Sequence, residues 1–347
     1  MARAAPIILG HPAALKVEAL QTASALVGLR DEWTVLFDSC PAATPFQSPE
    51  WLLAWLRHLG AGVELWTVLI RRNGRLVGLA PFYVYKFPDT GIRQLTLVGN
   101  GVTDRLDLLA EPASAAEVGR AVMEHLSEHR NRWDTADLRD LPGESALLSA
   151  PAPDGIADAI ENTEACPVLT LPDEEVRLAD TVKAPRLLRN LRYARRRAET
   201  RGPVEIVEAS QFTLDEMLSE LFRLHQARWR ERGEAGVLSD AAVQAMVRDA
   251  AGEFLARKWL RLYCLRIDGQ TVAVQLGWAA RARAYYYISG WDPEFGALSP
   301  GGLLVEHAVS AAVRESVREF DFLRGCERYK YDWGACDRPQ HRRRFAT

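Results

Sequence analysis

The sequence predicts a mixed α/β protein built as two successive copies of one plan, each copy a mixed, mostly antiparallel sheet flanked by helices. Three observations predict it. Two hairpin signatures recur, LWTVLIRR and RLVGLAPFYVYK around Asn73-Gly74, and WLRLYCLRI and TVAVQLGWAA around Asp268-Gly269. Asn-Gly and Asp-Gly supply the positive φ that a two-residue hairpin turn needs. Each hairpin is followed by a further strand, a helix and a last strand, in matching order. The period is far too long for a solenoid, so a duplicated domain is the expectation, with residues 1–172 as the first copy and 173–347 as the second.

Length and composition bound the rest. At 347 residues the chain can bury two cores of ordinary size. Apolar residues at 48% and charged residues at 26% are globular values and exclude wholesale disorder. A net charge of −3 argues against a surface wholly committed to nucleic acid. The five cysteines show no Cys-x-x-Cys pair and no His spacing of a zinc site, so no metal is expected. Their scatter fits reduced thiols in a cytoplasm. The apolar run Ile7-Ile8-Leu9 is too short for a signal peptide, and no window approaches a membrane span. A cytoplasmic protein, monomeric or homodimeric, is expected.

In chain order, helices are expected over residues 33–37 and Pro49–Leu59, the second with Ser48 as cap and Pro49 in its first turn. The first hairpin and the strand RQLTLVG lead to Asn100-Gly101 and then Asp104-Arg105-Leu106-Asp107-Leu108-Leu109. A helix over 115–129 carries Val118, Val122 and Leu126 on one face, and a strand follows over 133–138. A Gly- and Pro-rich connector over 142–172 ends in the short strand CPVLTL. The second half opens with helices over 183–200, Leu214–Glu231 and 240–257. Its hairpin, the strand AYYYISGW, a long loop, a helix and the strand REFDFL complete the series.

The loop after AYYYISGW is the most informative stretch. Connections between strand and helix usually take about 2–6 residues, so a longer one points to function. It ends in Ser299-Pro300-Gly301-Gly302. Serine is a favoured N-cap and proline a favoured first helical residue, which places the glycines where orphan N–H groups point outward. Without a Cβ, a phosphate can approach those groups closely, and the helix dipole favours its charge. The competing reading is an ordinary capped helix whose glycines relieve crowding. The first copy lacks this loop, so only the second is expected to hold a phosphate ligand.

Helices, a hairpin, a tyrosine-rich strand, a phosphate-type loop at a helix start and a further strand form the plan of the GNAT acyltransferases. The second half resembles the GNAT-like group associated with polysaccharide biosynthesis, of the cellulose-biosynthesis type. That group is related in architecture to the Fem-type peptidyltransferases, which carry two such domains in tandem. The residues that carry the resemblance are Tyr287 to Gly290 with Asp292-Pro293, Ser299-Pro300-Gly301, Phe320-Asp321-Phe322-Leu323-Arg324-Gly325 and Glu327-Arg328-Tyr329-Lys330. Asp104 to Leu108 also resembles the group. The usual Gln/Arg-x-x-Gly-x-Gly/Ala loop is replaced here by Ser-Pro-Gly-Gly.

The resemblance implies a tandem GNAT-like protein whose second domain transfers an acyl group from acyl-CoA, acetyl-CoA first among the donors, to an amine. The strand before the loop splays from its neighbour, and the pantetheine arm pairs with backbone groups of Ile288, Ser289 and Gly290. The N–H groups of Gly301, Gly302 and Leu303, after Ser299, take the pyrophosphate. Gly290 is expected to allow a bulge that turns an N–H towards the thioester oxygen. Direct attack by the amine needs an acid near the leaving sulfur, for which Tyr329 is the candidate, and a base, for which Asp104, Asp107 and His225 are candidates. Asp104, Arg228, Trp229 and Lys330 are candidate acceptor-binding residues, each also readable as a packed or solvated side chain.

Two donor classes stay open. Residues 186–201 hold seven arginines in sixteen positions, which reads either as a solvated helix packed by its leucines or as a seat for a phosphate-rich or RNA partner. At helical spacing Leu187, Leu188, Leu191 and Tyr193 do not leave all those charges on one face. A Fem-type transfer from charged tRNA is therefore the alternative to acyl-CoA. Gly99-Asn100-Gly101 begins like a dinucleotide fingerprint but has Asp104 where glycine is required. The tail from Arg338 reads as a frayed basic end.

Overall fold

Asn73 and Gly74 (φ 52° and 79°) and Asp268 and Gly269 (φ 50° and 74°) make the two expected left-handed turns, so each hairpin closes where its sequence directs. The computed structural model describes residues 14–173, 178–184 and 186–346; Ile7-Ile8-Leu9 lies outside them. In chain order the strands are β1 (Leu15–Leu20), β2 (Glu64–Arg72), β3 (Arg75–Lys86), β4 (Arg93–Leu97), β5 (Leu109–Ala110), β6 (Thr135–Pro142), β7 (Ala157–Asn162) and β8 (Cys166–Thr170). They continue with β9 (Val204–Glu208), β10 (Leu260–Ile267), β11 (Gln270–Ala280), β12 (Arg283–Trp291), β13 (Glu319–Asp321), β14 (Cys336–Arg338) and β15 (Gln340–Ala346). The α-helices are α1 (Ala23–Gly28), α2 (Arg30–Ser39), α3 (Pro49–Leu59), α4 (Ala115–Glu128), α5 (Ala146–Ser149) and α6 (Leu178–Thr181). Then come α7 (Leu187–Glu199), α8 (Leu214–Glu231), α9 (Ala241–Ala256), α10 (Pro300–Arg314) and α11 (Arg328–Asp332).

Two mixed sheets result. The first has eight strands in the order β1-β2-β3-β4-β6-β15-β7, with β5 beside β3; the second has seven in the order β14-β8-β13-β12-β11-β10-β9. Within each sheet one pair is parallel, β4 with β6 and β12 with β13, each joined through a helix (α4 and α10). The remaining pairs are antiparallel. The duplicated plan is therefore real: hairpin, third strand, helix, and a parallel return in each lobe.

The sheets do not follow the two halves of the chain. β8, at the end of the connector, joins the second sheet between β13 and β14. The C-terminal β15 returns to the first sheet, paired with β6 on one side and β7 on the other. The expectation of a frayed tail is thus corrected. Arg343 is only 2% exposed there, and its guanidinium is held by Asp158 and by the carbonyls of Leu147 and Ala150.

One apolar core runs through both lobes. α3 packs on α9, and Phe46, Trp51, Phe254, Trp278 and Tyr287 form a single aromatic group with ring centroids about 5–6 Å apart. Two further cores lie under α10 and under α4, one in each lobe.

Candidate active site

β12 pairs with β13 only over Arg283–Tyr285, opposite Glu319–Asp321, whereas it stays paired with β11 through Trp291. Among the described residues no strand pairs with residues 286–291 on the β13 side, and the two parallel strands part there. Ile288 opposes Leu276 and Tyr286 opposes Gly277, which leaves Tyr287 as the extra residue of a β-bulge. The bulge was expected at Gly290 and is corrected to Tyr287. Gly290 pairs regularly with Val274. It is glycine for another reason: a Cβ there would stand 2.3 Å from the backbone nitrogen of His225, because α8 presses against the strand. Ile288, Ser289 and Gly290 all lie on the parted stretch, with the Ser289 hydroxyl 2.5 Å from that of Tyr286.

The following loop is not irregular. Asp292 caps a 3-10 turn over Pro293–Leu298 by accepting from the Glu294 amide. Ser299 ends that turn in the left-handed conformation (φ 50°, ψ 50°) and makes no side-chain cap bond, so its expected capping role is corrected. Pro300 is the first residue of α10 as expected. Leu303 donates its N–H to the Ser299 carbonyl at 3.1 Å, which removes it from the expected set of free donors. Gly301 and Gly302 are partly exposed at the helix start. A Cβ at Gly302 would meet Leu191 of α7 at 2.9 Å, and one at Gly301 would meet the Trp291 ring at 3.4 Å. The Arg228 guanidinium stacks over that same Trp291 ring, 3.5 Å from its centroid, and its buried Nε has no hydrogen-bond partner. The Trp291 ring thus lies between Gly301 and a positive charge that carries an orphan donor.

Where the strands part, Tyr329 packs on Phe322 and Tyr286. Burial, with Tyr286 and Glu327 nearby, pushes its hydroxyl pKa far up, so Tyr329 holds its proton throughout the neutral range. On the interlobe side the loop between β4 and α4 reaches into the second lobe. Val102 accepts from the Tyr287 hydroxyl at 2.8 Å, Asp104 takes the Arg324 guanidinium at 2.5 Å, and Arg105 takes Asp321 at 2.8 Å. Successive residues of one lobe thus pair with Arg324 and Asp321 of the other. This loop occupies, in the first lobe, the place that holds the glycine turn in the second.

Asp140 joins the same group, 3.5 Å from Arg324. Burial and the neighbouring Asp104 push its carboxyl up to about 6 against the pull of Arg324. Asp104 is likewise raised, mainly by burial. Asp140 adopts φ 57°, a conformation an aspartate tolerates better than most side chains. Sequence reasoning missed it, although the signal was present. Leu138-Arg139-Asp140 ends the first copy as Leu323-Arg324-Gly325 ends the second, and both third residues have positive φ.

Three candidates turn out to be placed differently. Lys330 is 2% exposed, and its ammonium donates to the carbonyls of Leu323, Arg324 and Gly325 with Glu327 at 2.9 Å. It holds the turn after β13 and has no donor left for an acceptor molecule. His225 is 2% exposed between Gly290, Gly236 and Trp229, and burial lowers its pKa to about 4. It is a neutral packing group rather than an accessible base. Asp107 does reach a space between the lobes, but one beside Tyr285 and Arg283, at the paired end of β12. Trp229 is part-exposed over His225 and Gly236.

All seven arginines of the stretch from Arg186 to Arg201 are exposed, while Leu191, Ala194 and Ala198 are buried. Tyr193, read from the sequence as part of the apolar face, is 58% exposed, so the charges do share the solvent side. Among the described residues the grouping of metal-type side chains is His125, Glu128 and His129 on α4 of the first lobe. No helix among them is long and apolar enough to cross a membrane. The five cysteines are free thiols.

Residues 185–331 match the family model of the Acetyltransferase (GNAT) domain. No curated protein matches the chain by sequence. Among solved structures, FemX superposes with a TM-score of 0.66 at 12% identity, covering 93% of this chain and 96% of that one. The L-PGS of Bacillus licheniformis superposes with a TM-score of 0.53 at 12% identity, over 85% of this chain and 91% of that one. A tandem GNAT protein from the clavulanic acid biosynthesis pathway superposes with a TM-score of 0.50 at 17% identity, over 95% and 98%. At these identities the likeness is one of fold, and it extends over both lobes.

Proposed function

We propose that this transferase, whose residues 185–331 form a GNAT acyltransferase domain, takes an acyl group from acyl-CoA and delivers it to the amino group of a small molecule. The observation that carries the reading is the parting of β12 from β13 after Tyr285, with its bulge at Tyr287 and the glycine turn at its far end. The free edge of residues 286–291 suits the amides of a pantetheine arm. The N–H groups of Gly301 and Gly302 at the start of α10 suit a pyrophosphate, with the Arg228 guanidinium stacked on the Trp291 ring that lies against Gly301. In the transfer the amine nitrogen attacks the thioester carbonyl carbon and the C–S bond breaks. The sulfur takes a proton from the Tyr329 hydroxyl, and the amine gives one up to the Asp104 and Asp140 carboxylates around Arg324. In this reading Asp104, one of the three expected bases, is joined in the role by Asp140, in place of Asp107 and His225.

A second donor, charged tRNA, is favoured by one observation, the exposed arginines of α7, a helix that packs against α10 beside the glycine turn. Calorimetric titration separates the two. Acetyl-CoA is expected to bind wild type, and Gly302→Glu, which sets bulk and negative charge at the pyrophosphate position, to lose that binding while keeping its circular dichroism spectrum. Unchanged affinity in the folded variant removes the site. Binding of aminoacyl-tRNA, but not of acetyl-CoA, selects the second donor.

A further inference from the structure

At the paired end of β12, the two lobes enclose a cavity of about 170 Å³ that the acyl transfer does not use. Its walls differ in charge. From the second lobe come Arg283 and Arg338, which both reach Glu319, at 3.2 and 2.8 Å. Two guanidiniums share one carboxylate, which leaves one positive charge uncompensated at that wall. From the first lobe come Asp107 and Glu144. Asp107 is held by the Ser145 hydroxyl at 2.6 Å and the Leu108 amide at 2.8 Å, partners that carry no charge. Between the walls lies Arg105, 4% exposed, bonded through Nε to Asp321. Its Nη2 is 2.6 Å from the same oxygen but out of line for a second hydrogen bond, and it has no other partner. The Arg105–Asp321 pair thus balances its own charge and leaves the two walls with their opposite signs.

We propose that this interlobe cavity binds a small zwitterion of the α-amino acid type, its carboxylate against Arg283 and Arg338 and its ammonium against Asp107 and Glu144. The volume fits that class, being below the roughly 300–1,000 Å³ of clefts that hold drug-sized molecules. Opposite charges on opposite walls reject a simple acid or a simple amine, each of which leaves one wall unpaired. Because the walls belong to different lobes, the ligand ties the lobes together. Burial pushes the Asp107 carboxyl up to about 7, and an ammonium beside it favours the ionised form, so binding near neutrality releases a proton. The inference does not depend on the acyl donor.

The test is calorimetric titration of the full chain at pH 7 with glycine, L-alanine, L-serine and L-leucine, alongside propionate and ethylamine. One or more amino acids are expected to bind, with the acid and the amine at least about tenfold weaker. The apparent enthalpy should change between buffers of different ionisation enthalpy, as proton release requires. Arg338→Gln and Asp107→Asn are each expected to weaken binding at least about tenfold. Glu144→Gln, at an exposed position where folding is not at stake, should weaken it measurably. Absence of binding by all four amino acids up to about 10 mM, or equal affinity in wild type and the three variants, overturns the proposal. Acetyl-CoA titrated into the amino-acid-saturated protein reports separately on the donor groove.

Discussion

Asp140 is a carboxylate in an unusual position, buried, beside a second carboxylate and only loosely reached by Arg324. Its folded pKa, about 6, lies above the ordinary value of 3.8. Its contribution to stability is therefore complete below about pH 4 and is lost as pH rises through 6, since the folded state prefers the protonated form. The proposed transfer requires the opposite, because only the ionised acid accepts a proton from the amine. We expect kcat/KM for acyl transfer to rise with unit slope up to about pH 6 and then to level. Asp140→Asn should remove that limb and lower the plateau about 100-fold. Tyr329 is raised well beyond neutrality and should contribute no descending limb there. A wild-type pH profile in Asp140→Asn would take this residue out of the chemistry. Such residues read poorly from sequence because burial sets their properties. Lys330 sits in a motif and His225 on a helix, and only their neighbours show that one anchors a turn and the other packs against a strand.

At the level of elements, helices and hairpins were legible because their signals are local. α3 and α8 match their expected bounds, Asp240 caps α9, and both hairpins close on their turn dipeptides. The strands β1, β7, β9, β14 and β15 were not legible. β7 is almost entirely exposed, and β15 reads as a charge run, so neither shows the alternation that marks a half-buried strand. The glycine turn was found, but its mechanics were not, because a left-handed serine after a 3-10 turn leaves no trace in composition. Gly290 is the sharpest case of an element-level constraint. Its missing Cβ is what lets α8 lie on β12, so Gly290→Ala must move a helix backbone rather than a side chain. We expect a loss of about 3 kcal/mol in urea unfolding, at the upper end of overpacking costs. The helix would shift along with Arg228, so acetyl-CoA affinity should fall in the same variant. A loss under about 0.5 kcal/mol, the size of a neutral surface change, would show that α8 does not bear on the strand as described.

At the scale of the whole molecule, duplication predicts two lobes that fold independently, and the strand exchange forbids it. The second sheet needs β8, which precedes residue 172, and the first sheet needs β15 from the extreme end of the chain. Each lobe's sheet is thus completed by a segment that belongs, in sequence, to the other. The crossed pairs of Asp104 with Arg324 and Arg105 with Asp321 lie between them, the second buried on both sides (5% and 4% exposed). A buried pair of this kind adds little net stability when intact but costs about 3–5 kcal/mol when one partner is lost, so it penalises separation of the lobes strongly. We therefore expect one cooperative unfolding transition in urea, with coincident fluorescence and circular dichroism curves, despite a chain length at which two are usual. Removal of residues 340–347 takes β15 from between β6 and β7 and strips Asp137 and Asp158 of the Arg342 and Arg343 guanidiniums they hold. Asp158 would then stand without its arginine, Asp137 would keep Arg139 alone, and β7 would lose its strand partner. The truncated chain is expected to be insoluble or to unfold before either lobe's helices melt separately. A soluble truncation with a native spectrum and wild-type acetyl-CoA affinity would show instead that the second lobe stands alone, and that the exchanged strand joins the lobes without supporting either.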